Sequence, residues 1–66
     1  MAFTQTEKHL VTGLKLFGLP EDDQIAIFLA LQTEAQQRAL VDYMLEHQNA
    51  TDQELLRETV RILKGA

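Results

Sequence analysis

The chain offers few side chains that could carry out chemistry, and they form no recognisable catalytic or metal-binding pattern. Cys and Ser are both absent from the 66 residues, so there is no thiol and no serine nucleophile. The histidines, His9 and His47, are far apart, and neither belongs to a His-x-x-x-His or Glu-x-x-His pair. We therefore expect no enzymatic activity, no metal site and no cofactor.

Three consecutive carboxylates, Glu21 to Asp23, form the densest cluster of charge. Their spacing matches neither a calcium-binding loop nor a catalytic pair. They directly follow Pro20, which suits the first turn of a helix because it has no N–H to leave unpaired. Acidic side chains are also stabilised by the positive end of the helix dipole. We interpret the cluster as the start of a helix.

A second polar group predicts an alternative function, binding to DNA. Gln36, Gln37 and Arg38 would begin the third predicted helix, where a helix-turn-helix protein reads bases, and Gln and Arg suit adenine and guanine. Three features count against it. The turn before this helix has no Gly, Glu34 would face phosphates, and the net charge of −4 disfavours nucleic acid.

The helices that would position these residues are marked by clear end signals. Three segments match the capping box, in which a Thr and a Glu or Gln three residues later cap each other's backbone: they begin at Thr4, Thr33 and Thr51. Gly18-Leu19-Pro20 is typical of a helix C-terminus. The predicted helices cover residues 4–17, 20–32, 34–48 and 52–64. The chain has no Gly or Pro between Glu21 and Gln48, so the second and third could also be one kinked helix.

Apolar residues recur at helical spacing and predict an all-α fold, a small bundle of four short helices forming one domain over residues 1–66. The predicted core is Leu10, Val11, Leu14, Phe17, Ile25, Phe28, Leu29, Leu40, Tyr43, Met44, Leu56, Val60 and Leu63. Gly13, in the middle of the first helix, costs about 1 kcal/mol relative to Ala. It is either a tolerated weak point or the site of a close helix crossing.

The seven-residue run from Ile25 to Leu31 is apolar on every side of its helix. Such a helix should be buried on every side, which three other short helices cannot achieve alone. We therefore predict a symmetric homodimer with the second helix as its seam. The predicted interface comprises Leu16, Ala26, Ile27, Ala30, Leu31, Val41 and Leu45. The alternative is that the domain tolerates exposed aliphatic residues, as most protein surfaces do.

Together these features predict a small protein-protein interaction or regulatory module that acts through helix-helix contacts. Its expected partner is a second copy or another protein, rather than nucleic acid, a membrane or a small-molecule substrate. The N-terminal segment has no basic stretch followed by an apolar one, and seven apolar residues are too few to span a bilayer. We therefore expect a cytoplasmic location.

Overall fold

The computed structural model describes residues 3–65, which form four α-helices connected by short loops. These are α1 (Gln5–Leu16), α2 (Glu21–Ala30), α3 (Glu34–Glu46) and α4 (Asp52–Gly65). No strand occurs within the described residues. The predicted all-α fold is confirmed, and each helix end lies within two residues of its predicted position. The predicted domain range also includes Met1, Ala2 and Ala66, which lie outside the described residues.

All three predicted capping boxes form. At α1, the hydroxyl of Thr4 accepts the backbone N–H of Glu7 at 3.1 Å, and the Glu7 carboxylate accepts the Thr4 N–H at 2.8 Å. The same reciprocal bonds join Thr33 to Gln36 and Thr51 to Glu54. Each box satisfies N–H groups that have no partner inside the helix. The local sequence alone therefore fixes where these three helices start.

We expect Thr51→Ala to lower the free energy of unfolding by about 1 kcal/mol. The N–H of Glu54 would lose its acceptor, the Thr51 hydroxyl oxygen at 3.2 Å. Gln53→Ala is the matched control, because that side chain is exposed in the same turn. Urea denaturation compares the two variants with the parent. Equal midpoints for Thr51→Ala and the parent would mean that the cap does not stabilise α4.

The α4 capping box also depends on pH. The backbone N–H of Thr51 bonds to the Glu54 carboxylate and is the main reason that the pKa of this carboxyl lies below its ordinary value. Because the folded state lowers this pKa, the contribution to stability is present above the ordinary carboxyl pKa. It is lost as the pH falls through the lowered value.

The corner between α1 and α2 is a Schellman motif. Gly18 takes a positive φ of 79°, and its N–H bonds to the carbonyl of Lys15 at 3.0 Å. The N–H of Leu19 bonds to the carbonyl of Leu14 at 3.3 Å, and the Leu19 side chain folds back into the core. The predicted end of the first helix is confirmed.

The junction between α2 and α3 is a true break. Leu31 leaves the helix in an extended conformation, and the Gln36 amide oxygen accepts the N–H groups of Gln32 and Thr33 at 3.1 and 3.3 Å. Gln37 is buried and donates from its amide nitrogen to the Leu31 carbonyl at 2.9 Å. Two glutamines of α3 therefore satisfy the backbone of the break, and α2 and α3 are separate helices.

The core consists of nine buried apolar residues drawn from all four helices and two connections. They are Leu10, Leu14, Leu19, Ile27, Leu31, Leu40, Met44, Leu55 and Ile62. Four of these were predicted to be buried: Leu10, Leu14, Leu40 and Met44. Five other predicted core residues are only partly buried: Val11, Phe17, Phe28, Tyr43 and Leu56.

Four predicted core residues are exposed, so their assignment was wrong: Ile25, Leu29, Val60 and Leu63. In α4 the buried face is set by Leu55, Thr59 and Ile62. Thr59 can enter this face because its hydroxyl donates to the Leu55 carbonyl at 2.8 Å, which satisfies a buried polar group. The buried face of α4 is therefore offset by one residue from the predicted one, Leu56, Val60 and Leu63.

Helices α1 and α3 pack closely and run in the same direction. The guanidinium of Arg38 on α3 lies 3.4 Å from the hydroxyl of Thr6 on α1. Further along both helices, the end of the Met44 side chain lies against Gly13. Residue numbers therefore increase in the same direction along α1 and α3. A Cβ placed on Gly13 would come within 2.8 Å of the Met44 methyl carbon. The flexible end of the Met44 side chain therefore occupies the space that a Cβ on Gly13 would take.

Candidate functional site

Two of the predicted interface residues are not on the surface. Ile27 is 2% exposed and Leu31 is 0% exposed, both within the core of a single chain. This part of the interface prediction is wrong. The Ile27 side chain points from α2 towards the other helices, and Leu31, directly after α2, packs in the core. Neither side chain has surface left for a second copy.

The remaining predicted interface residues separate into two places. Leu16 and Leu45, on α1 and α3, are 81% and 65% exposed, and they line one groove together with the partly buried Val41. Ala26 is exposed and Ala30 partly buried on α2, and neither lines this groove. The structure therefore brings three of the predicted residues together and places two on another helix.

The first candidate surface, the α1–α3 groove, has a volume of about 380 Å³. Leu16, Phe17, Val41, Met44 and Leu45 supply its apolar lining. Gly13 also lines the groove, beside the end of the Met44 side chain. Its polar lining consists of Lys8, His9, Thr12 and Gln48.

The second candidate, the α2 surface, comprises Phe3, Ile25, Phe28 and Leu29 around a depression of about 460 Å³. Ile25 and Leu29 are 50% and 65% exposed and lie one turn apart on α2. The ring of Phe3 packs edge-to-face on Phe28, with centroids 5.6 Å apart. Sequence reasoning missed Ile25 and Leu29 as surface residues because an all-apolar helix does not indicate which face points inward.

The three residues proposed to contact DNA all make contacts within the chain. Gln37 is buried against the Leu31 carbonyl, so its assignment as a base-reading residue is wrong. The Gln36 amide oxygen caps the start of α3, and Arg38 reaches the Thr6 hydroxyl. Reading bases with this turn would disrupt the α2–α3 break.

The two histidines lie on the surface in separate local contacts. His9 meets the Gln5 side chain, with 3.4 Å between their Nε2 atoms. His47 stacks on the ring of Tyr43 at a centroid distance of 4.3 Å. Residues 3–65 contain no group of three or more His, Asp or Glu side chains arranged to hold a metal ion.

The two apolar surfaces are therefore the candidate sites. Within residues 3–65, no helix has both the length and the apolar composition that crossing a membrane requires. Comparison with protein-family models, curated proteins and solved structures gave no match for this chain.

Proposed function

We propose that this protein is an interaction or regulatory module that acts through helix-helix contacts and forms a symmetric homodimer through its α2 surface. The observation that carries the proposal is the exposure of Ile25 and Leu29 on one side of α2, next to the half-exposed ring of Phe3. These exposed apolar side chains surround one depression, which makes it a candidate contact site.

Because the protein is small, such an interface would cover a large share of its surface. A stable interface buries roughly 800 Å² per partner, which would be about a sixth of the 4672 Å² accessible surface of this chain. Burying one large aliphatic side chain completely contributes about 1.5–3 kcal/mol. The exposed Ala26 lies one turn before Leu29, and its small side chain would allow two α2 helices to approach closely.

The charges at the α2 surface also favour a second copy as the partner. Its depression is bordered by one cation, Lys15, and one carboxylate, Glu21. A two-fold axis brings the same surface to face itself, so Lys15 of each copy can approach Glu21 of the other. The charged residues that line the depression sum to zero, so they would not repel a second copy.

We further propose that the protein is cytoplasmic and has no catalytic activity. The absence of Cys from the sequence suits a reducing compartment. The lining surface of both candidate sites is mainly apolar, which suits contact with another protein rather than acid-base chemistry.

We expect Leu29→Glu to weaken the dimer by at least about tenfold, the equivalent of 1.4 kcal/mol. A carboxylate at this position would be buried without a partner in the interface. Leu45→Glu is the matched control, because Leu45 is equally exposed but lies in the α1–α3 groove. Light scattering after gel filtration would give the mass of each variant.

Circular dichroism should show both variants to be as helical as the parent, since neither side chain belongs to the core. A Leu29→Glu variant that remains as dimeric as the parent would contradict the α2 seam. Loss of the dimer in Leu45→Glu alone would move the seam to the groove.

A further inference from the structure

The α1–α3 groove presents apolar side chains from two neighbouring helices, as a docking site for a helix does. It lies between two parallel helices, and exposed leucines stand on both sides, Leu16 on α1 and Leu45 on α3. Gly13 and Met44 line the groove between them. An amphipathic helix binds in such a groove by inserting apolar residues spaced three or four apart.

The lining of the groove can adapt to an incoming side chain. The thioether end of Met44 contacts Gly13 and lines the groove. Methionine has three rotatable side-chain bonds and a polarizable sulfur, so it adjusts to surfaces of different shape. The groove therefore suits a range of leucine-like side chains.

The charge of the groove differs from that of the whole chain. The chain carries ten acidic and six basic residues, a net charge of −4. The groove, however, is lined by one cation, Lys8, and by no carboxylate. Within the part of the chain that the structure describes, the one ion pair joins Glu58 to Arg61, so Lys8 has no carboxylate partner there.

We propose that the α1–α3 groove binds an amphipathic helix of another protein, one that carries acidic residues beside its apolar face. The apolar face would pack between Leu16 and Leu45, and a carboxylate would approach Lys8. The groove of a second copy fits less well, because it also carries Lys8 and has no lining carboxylate to pair with it. This site is independent of the proposed α2 dimer.

Two synthetic helical peptides test the proposal. Both have leucines at positions i, i+3, i+4 and i+7, and they differ only in carrying Glu or Lys beside the leucines. Fluorescence anisotropy with labelled peptide measures binding to the full chain. We expect the Glu peptide to bind at least about tenfold more tightly than the Lys peptide, with a preference that shrinks as salt rises.

Three variants locate the binding site. Leu45→Glu should reduce binding of the Glu peptide at least about tenfold by placing a like charge in the groove. Lys8→Glu should remove or reverse the preference between the peptides. Leu29→Glu, on the α2 surface, should bind like the parent. Circular dichroism confirms that each variant is folded.

Several outcomes would overturn the proposal. Equal binding of the two peptides would contradict the proposed preference for an acidic helix. If neither peptide bound, the groove would not be a binding site for a helix. Unchanged affinity in Leu45→Glu would place the peptide elsewhere. A dimer that dissociates on Leu45→Glu would show that a second copy occupies the groove.

Discussion

Ile27→Glu is expected to unfold the protein rather than only separate a dimer. Ile27 is buried in the core, so the substitution removes an aliphatic side chain and buries a carboxylate without a partner. The combined cost should exceed about 4 kcal/mol. A core in a chain of this length rarely supplies more than about 3–5 kcal/mol of stability. Circular dichroism should therefore show the helical signal lost at room temperature.

The neighbouring positions on α2 provide the comparison. Leu29→Glu, two residues away on the exposed side, should keep the helical signal. Ile27→Val should remain folded and lose about 0.5–1.5 kcal/mol in urea denaturation, since it removes one buried methylene. A folded, monomeric Ile27→Glu protein would contradict the packing of α2 and would return Ile27 to the dimer seam.

Gly18→Val should lower the free energy of unfolding by about 2 kcal/mol or more. At a φ of 79°, residues other than Gly incur a steric cost of about 1–2 kcal/mol, and a β-branched side chain incurs more. A Cβ on Gly18 would meet no atom within 4 Å, so the cost comes from the backbone alone. Thermal and urea denaturation both measure it.

Two controls isolate this backbone effect. Gly18→Asn should lose less stability than Gly18→Val, because Asn tolerates the left-handed conformation better. Gly65→Ala should be close to neutral, since Gly65 lies at the end of α4 without a positive φ and has open space around it. Equal stability of the parent and Gly18→Val would mean that α1 does not end in the Schellman motif.

The helix ends could be predicted because their causes are local. The capping boxes that start at Thr4, Thr33 and Thr51 each depend only on that Thr and the residue three positions later. The end of α1 needs only Gly18 and the apolar Leu19 after it. Hydrogen bonds over such short separations are visible in the sequence itself.

The orientation of α2 could not be predicted in the same way. Its apolar residues surround the helix, so burying Ile25 and Leu29 or burying Ile27 and Leu31 looks equally favourable from the sequence. The choice depends on tertiary contacts. The bond from Gln37 to the Leu31 carbonyl holds the end of α2 against α3, which helps to place Leu31 in the core.

The α1–α3 groove was partly predictable. Leu16, Val41 and Leu45 stood outside the main apolar faces of their helices and were placed at an interface, and the structure brings them to one groove. Its depth and charge were not predictable, because both depend on which helix lies beside Gly13 and Lys8. The parallel packing of α1 and α3 decides this, and no local signal encodes it.

Sedimentation equilibrium over a range of concentrations up to high micromolar tests the proposed function most directly. The α2 surface predicts a reversible transition from the 7.5 kDa chain to a species of twice that mass. The same transition should move to higher concentration in Leu29→Glu and stay in place in Leu45→Glu. A single 7.5 kDa species at every concentration would contradict the homodimer.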